Sequence, residues 1–227
     1  MSSGARPAFY ALRSGGWRDY VTLLHPPYTL WHLSYAALGA AVAPHVKWWL
    51  LGWTILAFFL AMGIGAHALD ELQGRPLRTQ ISDRMLQLLA AWSIVGAVVV
   101  GVHAALVTTL WLLVFIAFGA FVVVAYNLEL FGGRLHSPLW FAGTWGAFPA
   151  LTAYFASAQT IRPDAVLVAA FALVTSLAQR RLSTDVRLAR RVAGDVSQAR
   201  TAEAALQLLA AAMPLLAGGV LLSRWHY

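Results

Sequence analysis

His67, Asp70 and Glu71 stand at i, i+3 and i+4 in the stretch AHALDELQGRPL, residues 66–77. On a helix these positions share one face. An imidazole and two carboxylates so placed could hold a divalent cation. Oxygen donors suit Mg²⁺, and the histidine shifts the choice toward Zn²⁺, Mn²⁺ or Fe²⁺. A purely structural alternative is open: Glu71 can pair with Arg75 four positions on, leaving an ordinary interfacial helix end. A second stretch, AYNLELFGGRLH at 125–136, matches the first at Ala66/Ala125, Leu69/Leu128, Asp70/Glu129, Gly74/Gly133 and Arg75/Arg134. The match reads as an internal repeat or as coincidence among abundant residue types, and both glycines fit helix ends. Glu129 is a candidate metal ligand or general base, with Tyr126 at i−3 and His136 in the following loop.

The elements that must position these groups are membrane helices. Hydrophobic residues make up 60% of the 227, and charged residues only 11%, against about a quarter charged in a typical soluble domain. The charge-free intervals 20–46, 48–69, 85–128, 135–161, 165–179 and 204–223 are the places to look for spans. The third is too long for one helix, and His103 beside Gly101 is the expected fold point. Seven spans follow, at about 28–44, 48–69, 86–102, 105–127, 139–158, 165–182 and 204–222. The fold class expected is an all-α integral membrane protein, a single domain over 1–227, with 1–24 as a cytoplasmic lead. That lead lacks an apolar core, so no cleaved signal peptide is expected.

The net charge of +7 reports topology and not nucleic-acid binding. With the N-terminus inside, thirteen arginines fall on the inner side, and only Lys47, Arg162 and Arg224 fall outside. The positive-inside rule therefore sets an inner N-terminus and an outer C-terminus. The sixth span is short. Between Asp164 and Gln179 about 22 Å of apolar helix is available against a core of about 30 Å. Gln179, Arg180, Arg181 and Asp185 are thus expected near the bilayer zone, where polar groups face a cavity or a partner. Arg181 and Asp185 can satisfy each other, leaving Arg180, Arg187 and Arg191 on a face suited to a phosphate.

Other chemistries drop out. Cysteine is absent, which removes disulfides and thiolate ligands. The one lysine, Lys47, is at a span's outer end, so a deep retinal Schiff base is excluded. There are no histidine boxes, no phosphate loop GxxxxGK[ST], and no Asp-Gly-x-x-Ala-Arg signature of the CDP-alcohol phosphotransferases.

From HPPYTLWHLSYAALGA to QRRLSTDVRLARR the chain resembles the UbiA-type intramembrane prenyltransferase superfamily. The resemblance rests on the acidic end of the second span followed by Arg75-Pro76, on YNLELFGGR leading to WGAFPAL, and on the polar end of the sixth span. It implies a helical bundle around a central cytoplasm-facing cavity open to lipid. It also implies two acidic motifs holding Mg²⁺ and a prenyl diphosphate, whose chain passes to a small acceptor. Ala66 and His67 stand where the family has Asn-Asp, and Asp70 matches a motif aspartate. Arg75 and Arg78 match basic residues of the first loop, Tyr126 and Arg134 fall in the tyrosine segment, and Gln179–Asp185 replaces the second acidic motif. With seven spans where the family usually has nine, the chain reads as a divergent member.

The expected roles are as follows. Asp70, Glu71, Glu129 and Tyr126 are candidate catalytic groups. Arg75, Arg78, Asn127, Arg134, Gln179, Arg180 and Arg181 are candidate substrate-binding groups. His67, Asp70, Glu71, Glu129, His136 and Asp185 are candidate metal ligands. The partners expected are the lipid bilayer and an isoprenoid or lipid-like substrate. Two other readings stay open: a His/carboxylate site with Fe, Mn or Zn that cyclises, eliminates or oxidises a lipid, and a non-catalytic lipid-binding or transport protein.

Overall fold

A computed structural model of the protein describes residues 7–189 and 196–225. Among these residues the chain is all helical. Helices run at Trp17–Leu23, Pro26–Val42, Trp48–Leu72, Asp83–Val107, Leu112–Asn127, 138–158, Pro163–Leu188 and Val196–Ser223. Four of them are long and apolar enough to cross a membrane: Trp48–Leu72, Asp83–Val107, Pro163–Leu188 and Ala199–Ser223. The helices at Pro26–Val42 (17 residues) and Leu112–Asn127 (16 residues) occupy places expected for further spans. At 1.5 Å per residue they reach only about 24–26 Å, less than a hydrocarbon core.

The expected fold point at Gly101 and His103 is corrected. Helix 83–107 runs straight through both, and the turn follows at Thr108. The reason is packing. A Cβ on Gly101 would stand 2.8 Å from the Ile116 side chain, so this glycine admits a neighbouring helix instead of breaking its own. The end is made by Thr108, whose hydroxyl donates to the Ala104 carbonyl and whose N–H donates to Ala105.

The chain divides into two compact units, one of residues 1–29 and 56–135, the other of 30–55 and 136–227. In the first, Leu23, Ala68, Ile81, Leu86 and Ala90 form a buried cluster with Leu69, Leu72 and Leu89 against it. It gathers the short helix 17–23 onto one end of helices 48–72 and 83–107.

In the second unit a buried polar network joins helix 26–42 to helix 163–188. Trp31 Nε1 donates to the Tyr35 hydroxyl, which pairs with Thr175 Oγ1 at 2.7 Å and accepts from Ser176 Oγ at 3.2 Å. Every hydrogen-bonding capacity of the phenol is thus used, as an apolar interior requires. Helix 138–158 carries a π-helical stretch at Ala142–Ala147, which ends two residues before Pro149. Proline supplies no N–H to the ladder, and the wider turn absorbs that loss. At the far end of this unit Arg224 Nη2 donates to the Ala43 and Pro44 carbonyls, and the Tyr154 hydroxyl donates to Asp164. Ala43, Tyr154 and Ala165 form one buried cluster, so Asp164 and Arg224 lie at the same end of this unit.

Candidate functional site

The first unit holds most of the acidic candidates, and its geometry assigns the strongest of them to folding. Glu71 is buried. One carboxylate oxygen accepts from the Thr79 N–H at 2.8 Å and the Thr79 hydroxyl at 2.9 Å, and the other accepts from the Leu77 N–H at 2.9 Å. The side chain thus serves as an anchor for the loop 73–82. Arg75 does not pair with it. Its guanidinium reaches Asp83 and the Ile81 carbonyl. Both Arg75 and Arg78 sit at positive φ, 56° and 57°, beside Gly74 at 90°. A non-glycine residue in that region is uncommon and persists where its surroundings hold it, and the Glu71 anchor is what holds it here. A second carboxylate acts the same way: buried Asp19 accepts from Gly15 N at 2.9 Å and from Gln80 N at 2.8 Å.

His67 donates Nδ1–H to the Gly63 carbonyl at 3.1 Å and stacks on His25, ring centroids 3.9 Å apart and planes 17° apart. The Tyr10 ring also meets His25, centroids 5.2 Å apart and planes tilted by 41°. His25 Nε2 is buried with no hydrogen-bond partner. Burial, and then the neighbouring His67, hold the His25 pKa well below its ordinary 6.5. A lowered histidine pKa means that the unfolded chain binds the proton first. The resulting stability is present above pH 6.5 and lost as pH falls through the folded value. The unfolding midpoint of the detergent-solubilised protein is therefore expected to drop on acidification below pH 6.5, and His25→Phe is expected to flatten that slope. An unchanged slope in the variant would remove His25 from the account.

Asp70 is half-buried, Tyr126 and Asn127 are buried, and Asn127 donates to the Val123 carbonyl at 2.7 Å. Glu129 is exposed and lies at φ 49°, past the end of helix 112–127, whereas Asp70 lies inside its helix. The two similar stretches therefore differ in conformation at their acidic position. Gly74 and Gly133 both take positive φ, but only Gly74 follows a helix end directly, after Leu72 and its cap Gln73. Gly133 lies in the loop six residues past Asn127, where its helix ends. Arg78 and Arg134 are exposed.

The second unit brings together a different group. Arg180 Nη2 lies 3.5 Å from His136 Nε2, and its guanidinium carbon lies 5.3 Å from the centre of the Phe141 ring. His32 meets the same ring edge-on at 5.6 Å. Among the described residues Arg180 meets no carboxylate. Gln179, one position earlier, buries a side-chain oxygen with no hydrogen-bond partner. Arg181 is 81% exposed and pairs with Asp185 at 3.4 Å, the structural option its spacing offered. Arg191 lies outside the described residues.

Against family models, curated proteins and solved structures, the chain matches none. The UbiA resemblance therefore rests on its sequence motifs alone. The donor set gives the expected metal centre no support. Glu71 spends its oxygens on three donors, and among the described residues no group of three or more His, Asp or Glu is placed to hold a metal.

Sequence reasoning passed over Phe141, Thr79, Asp19 and the His25–His67 stack. No local signal marks them. Gln80 lies 61 positions from the carboxylate that holds it, and Arg180 lies 44 positions from His136.

Proposed function

We propose that the chain is a seven-span, UbiA-like membrane protein that holds an isoprenoid or lipid-like molecule by its anionic head group. The reading is carried by Arg180. It is half-buried where the apolar run of helix 163–188 ends, stacked on Phe141, and unmatched by a carboxylate among the described residues. A guanidinium does not lose its proton in a protein, so burial leaves the charge in need of a counter-charge. Its planar fork suits phosphate or carboxylate oxygens. His136 lies beside it, and the unmatched oxygen of Gln179 is free to accept from a hydroxyl on the ligand. Prenyl transfer is the version in which the anion is a diphosphate, with arginine charge stabilising its departure.

Native mass spectrometry of protein purified in mild detergent, then titrated with prenyl phosphates and diphosphates of several lengths, tests this. Arg180→Gln is expected to weaken binding by roughly tenfold or more, while Arg181→Gln binds as wild type. Equal binding by wild type and Arg180→Gln contradicts the reading. Release of diphosphate in the presence of an acceptor separates transfer from simple holding.

A further inference from the structure

We propose that residues 7–24 lie in the head-group layer of the bilayer and recognise anionic phospholipid. Three observations within the first unit carry this, and none depends on Arg180. The first is depth. Leu23 packs into the cluster of Ala68, Ile81, Leu86 and Ala90, at the ends of helices 48–72 and 83–107. Charge resumes there, at Asp70, Arg75, Asp83 and Arg84. The short helix 17–23 is therefore fixed at the level where two apolar helices meet the polar boundary.

The second is charge. Asp19, the acid of this segment, points inward and is bound by two backbone N–H groups. What faces outward is Arg13 and Arg18, both exposed. The third is the apolar surface. Trp17 is 67% exposed, Tyr20 42% and Leu12 38%, and the Arg18 guanidinium lies 5.7 Å from the centre of the Trp17 ring. Indole and phenol rings favour the membrane–water interface. Arginines beside them add attraction to anionic lipid worth roughly fivefold per charge in the docked-to-undocked ratio. A polar lead anchored inward by Leu23 and Asp19, and turning Trp, Tyr and Arg outward, fits an interface better than bulk water.

The absence of cysteine makes the test clean. A spin label at Tyr20→Cys is read for oxygen against nickel-chelate accessibility in nanodiscs of phosphatidylcholine, with and without phosphatidylglycerol. A label at Leu208→Cys, on an exposed apolar position of helix 196–223, serves as the lipid reference. The expected result is a depth between that of Leu208→Cys and buffer, greater when phosphatidylglycerol is present. The double substitution Arg13→Gln with Arg18→Gln loses the phosphatidylglycerol-dependent gain, and Arg13→Lys with Arg18→Lys retains it. Buffer-like accessibility in both lipids overturns the interfacial placement. Equal depth in both lipids overturns the recognition of anionic lipid.

Discussion

Glu71→Ala is expected to destabilise the detergent-solubilised protein by on the order of 3 kcal/mol or more. The substitution strands the N–H groups of Leu77 and Thr79 and the Thr79 hydroxyl, all buried against the carboxylate. Each buried donor without an acceptor costs about 1–3 kcal/mol. The loop also carries Arg75 and Arg78 at positive φ, which the anchor holds in place. Glu71→Gln keeps one acceptor oxygen but turns an amide N–H₂ toward a backbone N–H, so roughly half the loss is expected. Chemical unfolding followed by circular dichroism measures both. A Glu71→Ala protein as stable as wild type contradicts the anchoring role and returns the carboxylate to the list of free acids.

Gly39→Ala is expected to be as damaging for a different reason. A Cβ there would stand 2.1 Å from the Ala150 carbonyl oxygen and 2.7 Å from its carbon. Both are helix backbone, which cannot swing aside, so the added methyl must push helix 26–42 away from helix 138–158. Overpacking of this kind typically costs about 1–3 kcal/mol where side chains can yield, and a backbone clash places Gly39→Ala at or above that range. Gly52→Ala supplies the control, since a Cβ at Gly52 meets nothing within 4 Å. There alanine is expected to be neutral or stabilising by up to about 1 kcal/mol. Coincident unfolding curves for the two variants contradict the close approach.

The apolar runs made the membrane helices legible, because bilayer thickness imposes a length that composition displays directly. Gly74 was legible as a helix end because a positive φ selects glycine locally. Gly133, read the same way, takes its positive φ within the loop six residues past the end of helix 112–127. Gly101 was misread for a related reason. A glycine in an apolar helix serves equally as a breaker or as a seat for a neighbour, and Ile116, fifteen positions on, decides which. The acidic cluster at 67–71 shows the same limit. Spacing puts His67, Asp70 and Glu71 on one face, but spacing does not tell whether a carboxylate is aimed at a ligand or at the amides of its own loop. Arg181 and Asp185 could be read as a pair because an i,i+4 contact is local. Arg180 against His136 and Phe141 could not, since that contact is made only by tertiary packing.

A cryo-electron microscopy structure of the protein in lipid nanodiscs tests the central claim most directly, because it shows what Arg180 faces. The account predicts density for an anionic head group within about 3 Å of the Arg180 guanidinium, with an apolar chain leading from it into the bilayer. An Arg180 guanidinium turned to bulk water, with no density beside it, would contradict it.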